Sequence, residues 1–317
     1  MIALFITLST IAFLLVATFA ISLVCFLKVF YSPTRKKTDE ISIPDGEIYE
    51  EHRDIMVKWT LEMRAMPHRN VSVRSFDGLT LRGKYYEYAK GAPIEILFHG
   101  YRGNSERDLC GGIARCFLLG HNALIVDHRG SGESDGHVIT FGIYESRDCH
   151  KWVDLVLSEI DPDAKIILGG VSMGGATVML CSSHEFPENV VGAVADCGYT
   201  STKAIVKKVM REMKLPADLL YPFVRLGARL FGNFDPDLTS PIESMKKCRL
   251  PIVFFHGDKD DFVPYEMSVE NYNACVAPKK KFVTVEGAGH GLAFVVDQQG
   301  YIDHLREFFD PIIENKA

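Results

Sequence analysis

The sequence predicts an α/β protein: a mostly parallel sheet of eight strands flanked by helices, carrying a small helical cap and joined to one N-terminal membrane-crossing helix. Three observations lead there. Short continuous apolar runs alternate with stretches of helical periodicity, as expected for strands buried on both faces and connected by crossover helices. The pentapeptide Gly170-Val171-Ser172-Met173-Gly174 lies between one such run and a helix-prone stretch, where a sharp strand-to-helix turn leaves no room for a Cβ on either side of the serine. Residues 1–27 contain no charged side chain.

That first segment, from Met1 to Leu27, exceeds the roughly 20 residues a helix needs to cross a bilayer. A cleavable signal peptide would need a basic start, a shorter apolar stretch and a better cleavage site than Thr18-Phe19-Ala20. A buried core helix would show a polar stripe, and this one is apolar all round. Residues 1–30 are therefore expected to be a single-pass anchor. The charges that follow it, Lys28, Arg35, Lys36 and Lys37, place the rest of the chain in the cytoplasm by the positive-inside rule. Residues 31–46, with Pro33, Pro44 and the turn Asp45-Gly46, read as a linker, and 47–317 as the folded domain.

From Glu47 to Met66 the apolar residues Ile48, Ile55, Trp59, Met63 and Met66 predict an amphipathic helix ended by Pro67. Alternation over 71–76 and 79–86 around Asp77-Gly78 predicts a hairpin. Buried strands are expected at 94–98, 123–126, 166–168, 190–195, 252–255 and 282–285, and helices at 107–119, 143–159, 173–183, 265–276 and 300–313. The interval of about 200–240 is too long for one crossover. Its two helical stretches, 205–213 and 219–231, are broken at Pro216 and read as a cap.

A net charge of −6 argues against nucleic acid as a partner. The eight cysteines, Cys25, Cys110, Cys116, Cys149, Cys181, Cys197, Cys248 and Cys275, form no CxxC pair and no zinc-type spacing with histidine. They read as small buried hydrophobes, and no metal or organic cofactor is implied.

Acyl transfer needs a nucleophile, a base, a group that orients the base, and donors for the oxyanion. Candidates for each follow strands. Ser172 comes after the fifth, carboxylates Asp258, Asp260 and Asp261 after the seventh, and Gly289-His290-Gly291 after the eighth. The chain order Ser, Asp, His, together with His99-Gly100-Tyr101-Arg102-Gly103 and His256-Gly257-Asp258-Lys259-Asp260-Asp261-Phe262-Val263-Pro264, resembles the α/β-hydrolase family over about residues 70–315, in its esterase/lipase-like or serine-aminopeptidase-like branch. The resemblance implies Ser172, Asp260 and His290 as a triad, with the backbone N–H groups of Tyr101 and Met173 as oxyanion donors. By spacing alone Asp258 and Asp261 stay open as rivals. His99 and His256, each before a glycine, read as buried loop braces. The turn Asp127-His128-Arg129-Gly130-Ser131-Gly132-Glu133-Ser134 lacks the residues of a phosphate loop and reads as structural, and Lys279-Lys280-Lys281 reads as a solvated turn.

These residues point to a serine hydrolase acting on a small-molecule carboxylic ester, with the cap over the site and Tyr199, Val263 and Leu292 as neighbours of the acyl group. A serine aminopeptidase or amidase, a thioesterase or monoacylglycerol lipase, and a membrane-tethered binding protein with an inactive hydrolase fold are the alternatives.

Overall fold

The computed structural model describes residues 1–33, 40–44 and 46–314. Arg35, Lys36 and Lys37 of the expected linker, and Asp45 of its turn, lie outside the described residues.

Helix α1 (Ile2–Val29) is one unbroken run of 28 residues, about 42 Å at 1.5 Å per residue, long and apolar enough to cross a membrane. Its first half is exposed. Its C-terminal part is docked: Ser22, Phe26 and Phe30 are buried. The expected helix over 47–66 is two, α2 (Glu47–Glu50) and α3 (Arg53–Ala65). The run Glu50-Glu51-His52-Arg53-Asp54 carries no apolar residue, so no stripe links Ile48 to Ile55 across it, and each helix follows its own contacts.

Strands β1 (Arg69–Arg74) and β2 (Thr80–Tyr86) form the hairpin, turned at Gly78 with φ 88°. Then follow β3 (Ile94–Phe98), α4 (Ser105–Leu119), β4 (Asn122–Val126), α5 (Glu145–Leu155, with a π-helical turn at Val156–Ile160), β5 (Ile166–Val171), α6 (Met173–Cys181) and β6 (Val190–Asp196). The cap is α7 (Thr202–Glu212) and α8 (Ala217–Phe231), followed by α9 (Pro241–Met245). The chain ends with β7 (Ile252–Gly257), α10 (Tyr265–Ala274), β8 (Lys280–Val285), α11 (Ala293–Val296) and α12 (Gln298–Glu314). Asn104 caps α4 by accepting from the Arg107 amide, and Gly120, left-handed at φ 80°, ends it.

The eight strands run in the order β1-β2-β4-β3-β5-β6-β7-β8, antiparallel from β1 to β4 across β2 and parallel from there on. This is the α/β-hydrolase fold. Period-two alternation divides each central strand between two cores: Ile94, Ile96 and Phe98 pack with α5 and α6, while Leu97 packs with α3, α4 and α12. Glu95, on the second face, is buried with Arg115 and His121. Burial opposes its charge, but the Arg115 guanidinium and the His121 bond outweigh it and hold the carboxyl at about 2. A third apolar cluster joins Phe26 of α1 and Phe30 just after it to Phe141, Met173 and the cap helices.

The lysine run is not simply a solvated turn. Lys280 and Lys281 begin β8; Lys280 Nζ donates to the Tyr272 and Cys275 carbonyls at the end of α10 (2.9 and 2.7 Å), and Lys279 Nζ to the Phe308 carbonyl (2.7 Å). A cation at a helix C-terminus meets the orphan carbonyls there.

Candidate active site

The turn from β5 to α6 sets Ser172 at φ 58°, ψ −116°, a region costing of order 1–3 kcal/mol and held only by its surroundings. Its amide donates to the Asp196 carbonyl of the neighbouring strand (2.9 Å). The flanking glycines are required by contact. A Cβ on Gly170 would lie 2.2 Å from the Gly174 carbonyl, and one on Gly174 would lie 2.0 Å from the Phe98 carbonyl.

This turn brings the Ser172 hydroxyl 2.9 Å from His290 Nε2, and His290 Nδ1 lies 2.7 Å from Asp260 Oδ2. With Nδ1–H donating to the carboxylate, Nε2 is the free lone pair and accepts from the serine. Asp260 is itself fixed. Its Oδ1 accepts from the Phe262 and Val263 amides (3.0 and 2.8 Å), and His256 Nε2 lies 3.1 Å from Oδ2. Burial opposes the charge, and the bonds from His256 and His290 outweigh it, holding the carboxyl far below the usual range. The rivals go elsewhere: Asp258 accepts from the Gly287 amide (2.6 Å) and Asp261 stands exposed at the mouth of the cleft.

The loop after β3 lies against the serine, close enough that a Cβ on Gly100 would sit 3.5 Å from Ser172 Cβ. Asp108 Oδ2 accepts from the Gly100 amide (3.0 Å). His99 is fully buried, with Nδ1 2.7 Å from the Gly100 carbonyl and Nε2 accepting from the His128 amide (3.0 Å), so it braces the loop. His256 is equally buried beneath Asp260, against Ser268 and Val263. Among the described residues the Tyr101 and Met173 amides have no acceptor. The turn after β4 is structural: Asp127 accepts from the Ser105 and Glu133 amides (2.8 Å each) and props the start of α4.

A cleft of 690 Å³ opens over Ser172 and His290. Its walls differ from those expected. Tyr199, Val263 and Leu292 are 2%, 0% and 2% exposed and do not line it. Tyr199 turns its hydroxyl to the Phe141 carbonyl (3.0 Å) in the third core, and Val263 is drawn down by its bonds to Asp260 and His256. The cap does not roof the cleft either. The lining includes Pro44, Ile48, Tyr49, Met56, Tyr101 and Phe262, together with the charged Glu47, Arg107, Asp108 and Asp261. Tyr49 donates to the His290 carbonyl (2.9 Å). The cap acids are spent on neighbours: Asp218 on Lys207 (2.6 Å), Asp235 on Arg225 (2.8 Å) and Arg229, Asp237 on Tyr221 (2.5 Å).

The sequence also gave no sign of Cys197. Its thiol, Asp260 and His290 offer atoms within 4.8 Å of one another, the geometry in which a metal could be held. Here the carboxylate and imidazole already bond each other, and burial pushes the thiol well up and keeps it protonated, so the set is poorly suited to a resident cation.

A sequence model of the serine aminopeptidase S33 family matches residues 93–241. The Bacillus subtilis protein YqkD is 28% identical over 193 residues, 61% of this chain and 63%, less than two thirds, of that relative. The mouse mitochondrial palmitoyl-protein thioesterase ABHD10 is 28% identical over 72% of this chain and 79% of its own. Among solved structures, the Pyrococcus furiosus esterase Pf2001 superposes with a TM-score of 0.66 at 22% identity, covering 87% of this chain and 99% of the esterase.

Proposed function

Because this chain belongs to the α/β-hydrolase family, we propose that it is a serine hydrolase that cleaves a carboxylic ester through an acyl-enzyme. The observation that carries the reading is the unbroken relay from Ser172 through His290 to Asp260, at 2.9 and 2.7 Å. His290 Nε2 takes the hydroxyl proton as Ser172 attacks the carbonyl carbon. Asp260 keeps the imidazole in the tautomer that can accept it and stabilises the imidazolium. The Tyr101 and Met173 amides receive the oxyanion, each donor of this kind contributing about 3 kcal/mol to the transition state. The imidazolium then protonates the leaving alcohol, and His290 activates a water that releases the acid and restores Ser172.

The apolar walls of Ile48, Tyr49, Met56 and Phe262 suit an acyl chain. A thioester is the second reading, favoured by the likeness to ABHD10, and it asks the same chemistry of the same residues. The amidase reading wants an unspent acid to hold a free amine. Asp108 in the cleft is engaged by Gly100 and Arg107, and the cap acids by their own cations, but Glu47 and Asp261 line the same cleft with exposed carboxylates, so the aminoacyl substrates stay in the test as the third reading. Helix α1 serves as a membrane anchor, with the hydrolase domain on the cytoplasmic side.

The test is a fluorophosphonate probe together with a panel of p-nitrophenyl esters of increasing chain length, acyl thioesters and aminoacyl anilides. Wild-type protein is expected to be labelled and to turn over the esters, and Ser172→Ala to lose both with its melting temperature nearly unchanged. Equal labelling of the two proteins would sink the assignment.

A further inference from the structure

Helix α1 ends against the loop that carries the Tyr101 amide. A helix leaves its last four carbonyls without intrahelical partners, and here two of them, with the next carbonyl but one, are taken by side chains of that loop. The Tyr101 hydroxyl donates to the Val29 carbonyl (2.7 Å). Arg102 Nη2 donates to the Lys28 carbonyl (2.8 Å) and the Tyr31 carbonyl (3.1 Å). Arg102 holds this pose at φ 54°, left-handed backbone that a non-glycine residue adopts only when its surroundings insist, and its guanidinium lies over the Tyr101 ring at 5.1 Å. The Tyr101 ring also packs on Phe141 (4.9 Å), which packs on Phe30 (5.7 Å).

The end of α1 is itself held by further contacts. The Ser32 amide donates to the His137 carbonyl (2.8 Å) and the Ile139 amide to the Phe30 carbonyl (2.9 Å). Ser22 meets Gly227 of α8 so closely that a Cβ there would lie 2.3 Å from the Ser22 carbonyl. The loop is thus tied on both sides, by Asp108 at Gly100 and by α1 at Tyr101 and Arg102.

We propose that the C-terminal end of the apolar helix is a brace behind the loop that carries the oxyanion donor, and that the Arg102 and Tyr101 side chains are positioning residues that hold the Tyr101 amide in line by bonding to the carbonyls at the end of that helix. The proposal rests on the reading of the Tyr101 amide as an oxyanion donor. It predicts that the helix affects the rate of the chemical step as well as location. A donor displaced by an ångström loses most of its value when charge develops, while ground-state binding barely changes.

The experiment uses the full chain in lipid nanodiscs with p-nitrophenyl butyrate, comparing Arg102→Ala, Arg102→Lys and Tyr101→Phe. Arg102→Ala is expected to lower kcat about 10- to 100-fold, below the full loss of a donor, with KM within about threefold as expected for a contact felt in the transition state. Tyr101→Phe should lower kcat less, and Arg102→Lys, which keeps a donor to the same carbonyls, should recover most of the rate. Hydrogen exchange is read in parallel on the peptides spanning 99–104 and 166–176. The first should exchange faster in Arg102→Ala and Tyr101→Phe, and the second should not change. Unchanged kcat with unchanged loop exchange overturns the proposal, as does a loss confined to KM. Should the wild-type chain turn over no ester, the functional reading fails, and the exchange of 99–104 still decides whether α1 holds this loop.

Discussion

Asp196 ends β6 beside the Ser172 turn, and its side chain offers a test whose size follows from its surroundings. Its Oδ2 accepts from the Tyr301 hydroxyl (3.1 Å), while Oδ1 is buried with no hydrogen-bond partner among the described residues. Burial raises the carboxyl from 3.8 to about 6; the neighbouring His256 ring, the Tyr301 bond and the Arg115 guanidinium offset it only in part. A raised carboxyl means that the folded chain binds this proton more tightly than the unfolded chain does. Stability therefore falls as pH rises between about 4 and 6, and the whole penalty is present above that window. The difference between about 6 and 3.8 corresponds to about 3 kcal/mol at 1.36 kcal/mol per pH unit. Asp196→Asn keeps the shape and an acceptor for Tyr301 and removes the charge. It should be more stable than wild type by about 3 kcal/mol at pH 8 and nearly equal to it at pH 4, a widening set by linkage. Denaturant unfolding of the full chain at pH 4, 5, 6 and 8, followed by tryptophan fluorescence, reads this directly. A variant no more stable than wild type at pH 8, or a gain independent of pH, would refute the reasoning.

Two further substitutions test the supports of the site. Glu95→Ala leaves the Arg115 guanidinium buried without its carboxylate and should destabilise by about 3–5 kcal/mol; the denaturant midpoint checks this, and a loss under about 1 kcal/mol would mean that water reaches Arg115. Gly174→Ala drives a Cβ to 2.0 Å from the Phe98 carbonyl, a backbone atom that cannot swing away; the expected result is loss of fluorophosphonate labelling with a lowered melting temperature, and a variant labelled at the wild-type rate would show that α6 can shift.

The residues of the relay were legible because each lies within a few positions of the carboxyl end of a parallel strand, where apolar runs stop and glycines begin. Which carboxylate met His290 was not readable from spacing, since Asp258, Asp260 and Asp261 share one loop; the Phe262 and Val263 amides settle where Asp260 points. The walls of the cleft were less legible still. Tyr49 reaches the His290 carbonyl across 241 positions of sequence, and a contact of that separation leaves no periodic trace. The same holds for Tyr199 and Val263: an aromatic or branched residue near a motif is equally consistent with a pocket wall and with a packed core, and here it is the core. The break between α2 and α3 was foreshadowed by the polar run 50–54, but the direction of α2 follows from packing against Gly289 and His290.

The placement of α1 bears on whether it stays with the domain. A cleaved leader contributes nothing to the mature fold, and its removal leaves no exposed core. Here Phe26 and Phe30 are 5% and 0% exposed, Phe30 packed edge-on against Phe141 and Phe234 and Phe26 beside Phe231. Burial of each such side chain contributes about 1.5–3 kcal/mol. Loss of the helix would uncover this cluster and free Tyr101 and Arg102 of their acceptors at once. The residues before Leu15 contact nothing comparable: from Ile2 to Leu15 the large side chains are 49% or more exposed. A helix with a bare apolar first half and a docked second half fits an element that enters lipid at one end and the enzyme at the other. On the anchor reading proposed above, the helix would do more than limit diffusion, since its C-terminal end also holds the loop beside Ser172.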